Sequence, residues 1–144
     1  ISGRQSYLME DSHNAVTISL KPEGLAGELS TELSKCVRGG IRGFVDSFLE
    51  KQGLDGQDDI DLWGVHPGGT SILNAVADGL ELDSEVDMEH SWGVLRDYGN
   101  MSSSTVLFVL DRLLSDDKAA ESDRAIAMAF APGVSVEGAM LEKC

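Results

Sequence analysis

His66 ends a short, mostly apolar stretch (residues 60–65) and is followed by Pro67, Gly68 and Gly69 before a helix-patterned run over residues 70–80. An imidazole at a strand-to-helix corner sits beside the unpaired N–H groups and partial positive charge of a helix N-terminus. A polar side chain held there is placed to stabilise a developing oxyanion. Gly68 and Gly69 would let a ligand come close to the backbone. Asn100 stands at a second corner of the same kind, with Gly99 before it and Ser102, Ser103 and Ser104 after it. Asparagine is among the best helix N-caps, and capping alone accounts for Asn100 taken singly. His66 taken singly reads equally as a satisfied structural histidine.

Other chemically capable residues read as structural. Ser102, Ser103 and Ser104 lack a nucleophile-elbow pattern and fit the first turn of a helix better. Cys36 borders the apolar stripe of a long helix and is expected as a buried, inert thiol, and Cys144 is the last residue, where nothing orients it. His13 and His90 lie in polar surroundings and are expected on the surface. Trp63 and Trp92 are expected in the core or at a partner contact. Among 25 Asp and Glu no spacing suggests acid–base or metal chemistry, and no metal is expected.

The elements that must position the corners follow from periodicity. Residues 15–20 alternate as a strand and stop at the Lys21-Pro22-Glu23-Gly24 turn. Residues 25–51 are expected as one long helix, with Leu29, Leu33, Val37, Ile41, Phe44 and Phe48 in a single stripe. Lys35, Arg38 and Arg42 fall on its opposite, solvated face. Gly39, Gly40 and Gly43 each cost about 1 kcal/mol against Ala, so a break or a close backbone approach is expected there. A strand over 60–65 is followed by helices over 70–80, 85–98 and 105–114. Val106 to Leu110 are five apolar residues in a row, which predicts a helix buried on all sides. Strands over 124–131 and 134–141 are joined by Pro132-Gly133 and should pair antiparallel. The first of them puts Ile126, Met128 and Phe130 on one face and alanines on the other, where a helix can pack closely. The expected fold class is α/β, a mixed sheet with antiparallel C-terminal strands packed by helices.

The formal charge of −14 argues against nucleic acid and against anionic membrane surfaces as partners. No apolar run is long enough to span a bilayer, and no signal peptide is visible. Two cysteines make neither a disulfide framework nor a metal spacing, which fits a reducing cytoplasm. Neither the loop over 53–59 nor that over 115–123 is long enough to separate two domains, so residues 1–144 read as one domain. The chain opens Ile1-Ser2-Gly3 without methionine, as a trimmed sequence, a processed product or a piece of a longer protein would.

Together the corners are far more specific than either alone. Trp63-Gly64-Val65-His66-Pro67-Gly68-Gly69 with Ile72-Leu73 resembles the histidine motif of type III polyketide synthases, the chalcone and stilbene synthase family. Asp97-Tyr98-Gly99-Asn100-Met101-Ser102-Ser103, with Asn100 34 residues beyond His66, resembles that family's asparagine motif. Phe130-Ala131-Pro132-Gly133-Val134-Ser135-Val136-Glu137 resembles its C-terminal Gly-Phe-Gly-Pro-Gly signature, and Asp11-Ser12 its Pro-Asp-Ser segment. The related ketoacyl-ACP synthase III family shares the His/Asn pair but usually carries His-Gln-Ala-Asn where this chain has His-Pro-Gly-Gly.

The resemblance implies a thiolase-like half, the C-terminal part of a duplicated fold. It implies a Cys-His-Asn triad in which His66 keeps a cysteine as thiolate, and in which His66 and Asn100 hold the thioester oxygen while malonyl-CoA is decarboxylated. Gly68, Gly69 and Ser71 would lie beside the CoA arm. Ser102, Phe130 and Pro132 would border the pocket where the chain grows. The nucleophilic cysteine belongs to an N-terminal half that this chain lacks, so the chain alone is expected to be inert. Acyl-CoA thioesters are the implied substrates, no cofactor is implied, and the implied partners are the N-terminal half and a second copy in a homodimer. Thr70 stands where the family commonly has Pro, and Ala129 and Ala131 where the signature has Gly. Two other readings remain at this stage: a ketoacyl-ACP synthase III-like condensing enzyme, and a non-catalytic thiolase-like binding or assembly module.

Overall fold

The computed structural model describes residues 1–10 and 12–142. In chain order it contains β1 (Gly3–Leu8), β2 (Val16–Lys21), β3 (Gly24–Leu29), α1 (Leu33–Gln52), β4 (Leu62–Val65), α2 (Thr70–Leu80), α3 (Glu89–Tyr98), α4 (Thr105–Leu114), β5 (Arg124–Ala131) and β6 (Ser135–Glu142). β1, β6, β5 and β4 form one sheet in that order. β4 runs parallel to β5, and the other two pairings are antiparallel. β2 and β3 form a separate hairpin. This is the expected mixed α/β architecture, with the antiparallel pair at the C-terminal end.

The sheet is covered on both faces, by helices of different reach. Ile126, Met128, Val136 and Met140 join Val37, Ile41, Phe44 and Phe48 of α1 and Leu73, Val76 and Leu80 of α2 in the main core. The α1–α2 contact is close because Gly79 carries no side chain: a Cβ there would sit 2.7 Å from the Arg38 carbonyl oxygen. The other face carries the small residues Gly64, Ala125 and Ala127, against which α4 lays Val109 and Leu113. α1 runs unbroken through its glycines, and Gly40 uses its missing side chain to admit Met9.

Three expectations are corrected. Residues 24–29 form β3, not the start of the long helix. The four-residue step from Leu29 to Leu33 mimics a helical stripe, but Lys21 pairs with Gly24 across the two-residue Pro22-Glu23 turn, and cross-strand bonds claim the backbone. β1 was not anticipated, because Gly3–Leu8 lacks clean alternation; it is a sheet edge whose register with β6 comes from pairing, not from its own pattern. α4 is not buried on all sides. It covers the sheet with Thr105, Val109 and Leu113, while Leu107 and Leu114 are exposed and Phe108, exposed in part, meets only the Tyr98 ring of α3 among the described aromatic rings.

Cys36 is half-buried, packed against the core rather than enclosed in it, and Trp63 is buried as expected. Cys144 and Asp11 lie outside the described residues.

Candidate active site

His66 is the first residue past β4. Its N–H donates to the Met128 carbonyl at 2.8 Å, which extends the parallel ladder one step and fixes its backbone in the sheet. Its carbonyl then accepts from Gly68 N–H at 2.9 Å and turns the chain into α2. The strand end is braced from α3, where the buried Ser91 hydroxyl accepts the Val65 N–H at 2.9 Å. Burial lowers the His66 pKa from its ordinary value by desolvation, so the imidazole is neutral at pH 7.

Asn100 follows Gly99, whose φ of 70° ends α3 in a conformation that glycine adopts without strain. Its Oδ1 accepts from Ser102 N–H at 2.9 Å, which is the local capping role. Its Nδ2 donates to the Gly68 carbonyl at 3.0 Å, across 32 residues of chain. One carboxamide therefore holds its own turn and ties it to the His66 corner. A primary amide has two N–H donors, and the Gly68 bond uses one of them. Thr105, fully buried, backs the turn by accepting Met101 N–H and donating to the Ser102 carbonyl, both at 2.8 Å.

His66, Gly68, Asn100, Phe130 and Pro132 line one cavity of about 130 Å³. The remaining candidates stand outside it. Ser71 is exposed and lines an adjoining groove of about 390 Å³ that also reaches Gly68. Gly69 precedes α2 and accepts from Ile72 N–H at 3.1 Å. Ser102 is exposed, with a φ of 61°. Of the two alanines that replace glycines of the signature, Ala131 lines the cavity and Ala129 does not. Residue reasoning missed Val16, Leu29, Leu33 and Ile72, which complete the cavity wall. Ile72 and Leu33 were legible only as core positions, and Leu29 had been assigned to a helix.

The surface reading of His90 is corrected as well. Its imidazole is 16% exposed and meets Asp116 at 2.9 Å. The α3–α4 hairpin brings the two together over a separation of 26 residues, which no local pattern reveals. Backbone donation from Lys118, then His90, holds the Asp116 carboxyl below its usual range. Ligand atoms of Glu89, His90 and Asp116 lie within 4.8 Å of one another, and Lys118 pairs with Glu89 at 3.2 Å, so ion pairing accounts for this cluster. Near the Asn100 corner, Arg112 of α4 pairs with Asp97 of α3 at 2.6 Å and lies over the Tyr98 ring. Hydrogen bonding from Arg112, then Arg96, holds the Asp97 carboxyl below its usual range.

The family model for the C-terminal domain of chalcone and stilbene synthases matches residues 1–144. The chain belongs to this family. It is 33% identical over 138 residues to an alpha-pyrone synthesis polyketide synthase-like protein of Mycobacterium tuberculosis, covering 95% of this chain and 35% of that protein. It is 34% identical over 143 residues to polyketide synthase 37 of Dictyostelium discoideum, covering 95% of this chain and 5% of that protein. The crystal structure of PKS-I from the brown alga Ectocarpus siliculosus superposes with a TM-score of 0.90 at 38% identity, over 99% of this chain and 38% of that one. The 1,3,6,8-tetrahydroxynaphthalene synthase of Streptomyces coelicolor gives 0.89 at 25% identity, over 99% and 40%. The chain therefore spans well under half the length of these relatives. In this chain His66-Pro67-Gly68-Gly69 and Gly99-Asn100-Met101-Ser102-Ser103 form two corners joined by one side-chain hydrogen bond, from Asn100 to the Gly68 carbonyl. Among the described residues no helix is long and apolar enough to cross a membrane.

Proposed function

We propose that this chain is the part of a type III polyketide synthase that supplies the oxyanion site for decarboxylative condensation. The observation that carries the reading is the Asn100–Gly68 hydrogen bond, which holds imidazole and carboxamide on one apolar cavity. Malonyl-CoA would enter with its thioester oxygen toward His66 and Asn100. The bond to the carboxylate carbon breaks, CO₂ leaves, and the electron pair becomes the enolate of the thioester. N–H donors from the two side chains would stabilise that oxygen where it gains charge. The enolate carbon then attacks the acyl carbonyl on a cysteine of the N-terminal half. The new C–C bond forms, the C–S bond breaks, and the thiolate departs. His66, neutral in this chain, becomes an imidazolium partner only when that thiolate stands beside it.

The CoA arm would run past Gly68, Gly69 and Ser71 along the adjoining groove, and Ser102, Phe130 and Pro132 would border the growing chain. The reading requires no cofactor and places the reaction in the cytoplasm. It takes the N-terminal half as the partner that brings the cysteine, and a homodimer as the full assembly. The exposed Leu107, Phe108 and Leu114 face of α4 supports a partner in contact with this chain. The isolated chain is expected to condense nothing. In the full-length protein, His66→Ala and Asn100→Ala should each slow malonyl-CoA decarboxylation by about 10²–10³-fold, the loss typical of one oxyanion donor. Near wild-type rates in both would sink the assignment, as would turnover by the 144-residue chain alone.

A further inference from the structure

Asn100 can donate to an oxyanion only if its carboxamide turns nitrogen, and not oxygen, toward the cavity. The hydrogen bonds around it decide that orientation. Two donors meet Oδ1, the Ser102 N–H at 2.9 Å and the Thr105 hydroxyl at 3.4 Å. One acceptor, the Gly68 carbonyl, meets Nδ2 at 3.0 Å. A flipped carboxamide would set its amino group against the two donors and its oxygen against a carbonyl oxygen. The Ser102 N–H is part of a turn in which Ser102 has a φ of 61°, in the left-handed region that a residue with a side chain disfavours. Thr105 is what holds that turn. Its N–H and its hydroxyl both donate to the Ser102 carbonyl, the hydroxyl at 2.8 Å, and its Oγ1 accepts the Met101 N–H at 2.8 Å. Thr105 is the first residue of α4 and is fully buried, so these bonds are made out of contact with water.

We propose that Thr105 is the positioning residue for Asn100: its buried hydroxyl keeps Ser102 left-handed, and the Ser102 N–H in turn keeps the carboxamide nitrogen facing the His66 cavity. The proposal rests on the condensing reading above and adds a residue that acts on the reaction only through Asn100, since Thr105 does not line the cavity. Valine has the shape of threonine without the hydroxyl. In Thr105→Val the Met101 N–H loses its partner, and the Ser102 carbonyl keeps only the backbone donor of residue 105. Ser102 then relaxes to negative φ, its N–H turns away from Oδ1, and the carboxamide swings off Gly68. Serine keeps the hydroxyl and with it the whole chain of contacts.

Structure and rate test this separately, both in the full-length protein. A crystal structure of Thr105→Val should show Ser102 at negative φ and the Asn100–Gly68 bond broken, and that of Thr105→Ser should show both as they are here. In malonyl-CoA decarboxylation, Thr105→Val should lower kcat about tenfold with KM within about twofold, and Thr105→Ser should stay close to the unsubstituted rate. Placed on Asn100→Ala, Thr105→Val should lower kcat no further, yet should still lower thermal stability because the Met101 N–H is unpaired in either background. Where Thr105→Val does not fold, Thr105→Ala serves as the hydroxyl-free variant. An unmoved Ser102 and carboxamide in the hydroxyl-free variant would overturn the proposal whatever the rate. So would a full rate in that variant beside a rate lost in Asn100→Ala, or a further loss of kcat in the Asn100→Ala background. A carboxamide that moves while both Thr105→Val and Asn100→Ala decarboxylate at the unsubstituted rate removes the condensing reading and leaves Thr105 as the residue that orients Asn100.

Discussion

The two corners of the candidate site are fixed by different means. His66 is held by its backbone: it continues the β4–β5 ladder at Met128, and Ser91 braces the residue before it. Its side chain does no structural work that the hydrogen bonds record, and is free for chemistry. Asn100 has no sheet to hold it. It sits in a connection between two helices, and its own carboxamide makes the bonds that position it, to Ser102 and to Gly68. A catalytic group on a sheet can be removed with little structural loss. A catalytic group on a loop carries part of its own scaffold.

That contrast can be broken in order of effect. The largest difference should appear between activity and stability at His66. His66→Ala in the full-length protein removes decarboxylation by the factor given above, yet should cost less than about 1 kcal/mol in denaturant unfolding, as substitutions without a structural partner do. A loss of several kcal/mol would make His66 a scaffold residue. Next, Ser91→Ala should destabilise the chain by about 1–3 kcal/mol, because it leaves the buried Val65 N–H unpaired. Unchanged stability would show that the brace on the His66 corner is dispensable. Asn100→Ala should cost about 1–2 kcal/mol through the bonds it loses to Ser102, Gly68 and Thr105. Asn100→Asp keeps the acceptor for Ser102 N–H and should recover part of that stability while leaving decarboxylation impaired. Recovery of both together would separate Asn100 from the chemistry.

The smallest effect is in pH. The folded His66 pKa lies below its unfolded value near 6.5 because burial disfavours the imidazolium. The unfolded chain therefore binds the proton more readily between those two values. Stability is complete above about pH 6.5 and is lost as pH falls through the lowered folded pKa. NMR titration of the His66 ring in the isolated chain should give a midpoint below 6.5. A midpoint above it would mean that a charged partner, rather than desolvation, governs the ring.

Both corners were legible in the sequence because each is short and contiguous: the end of an element (a strand before His66, a helix before Asn100), glycine, a polar side chain and a helix start fall within about ten residues. The main core was legible for the same reason, since the stripe from Leu33 to Phe48 lies on one helix. What failed was non-local. Leu29 looked helical because its distance from Leu33 matches a helical turn, and only pairing with Val16 decides otherwise. The cavity wall formed by that pair was hidden with it. Val106 to Leu110 gave correct hydrophobicity and a wrong environment, because periodicity reports what a helix could bury and not what lies over it. The His90–Asp116 contact and the Ser91 brace each span 26 residues, and neither leaves a trace in local spacing.

The central claim is that the two corners act as one oxyanion site, and the most direct measurement is a double-mutant cycle on malonyl-CoA decarboxylation by the full-length protein. If His66 and Asn100 hold the same oxygen, the His66→Ala/Asn100→Ala double variant should lose little more than the worse single variant, because groups that act as a unit are strongly non-additive. Losses that multiply across the two sites would mean that the residues act independently, and would contradict the account.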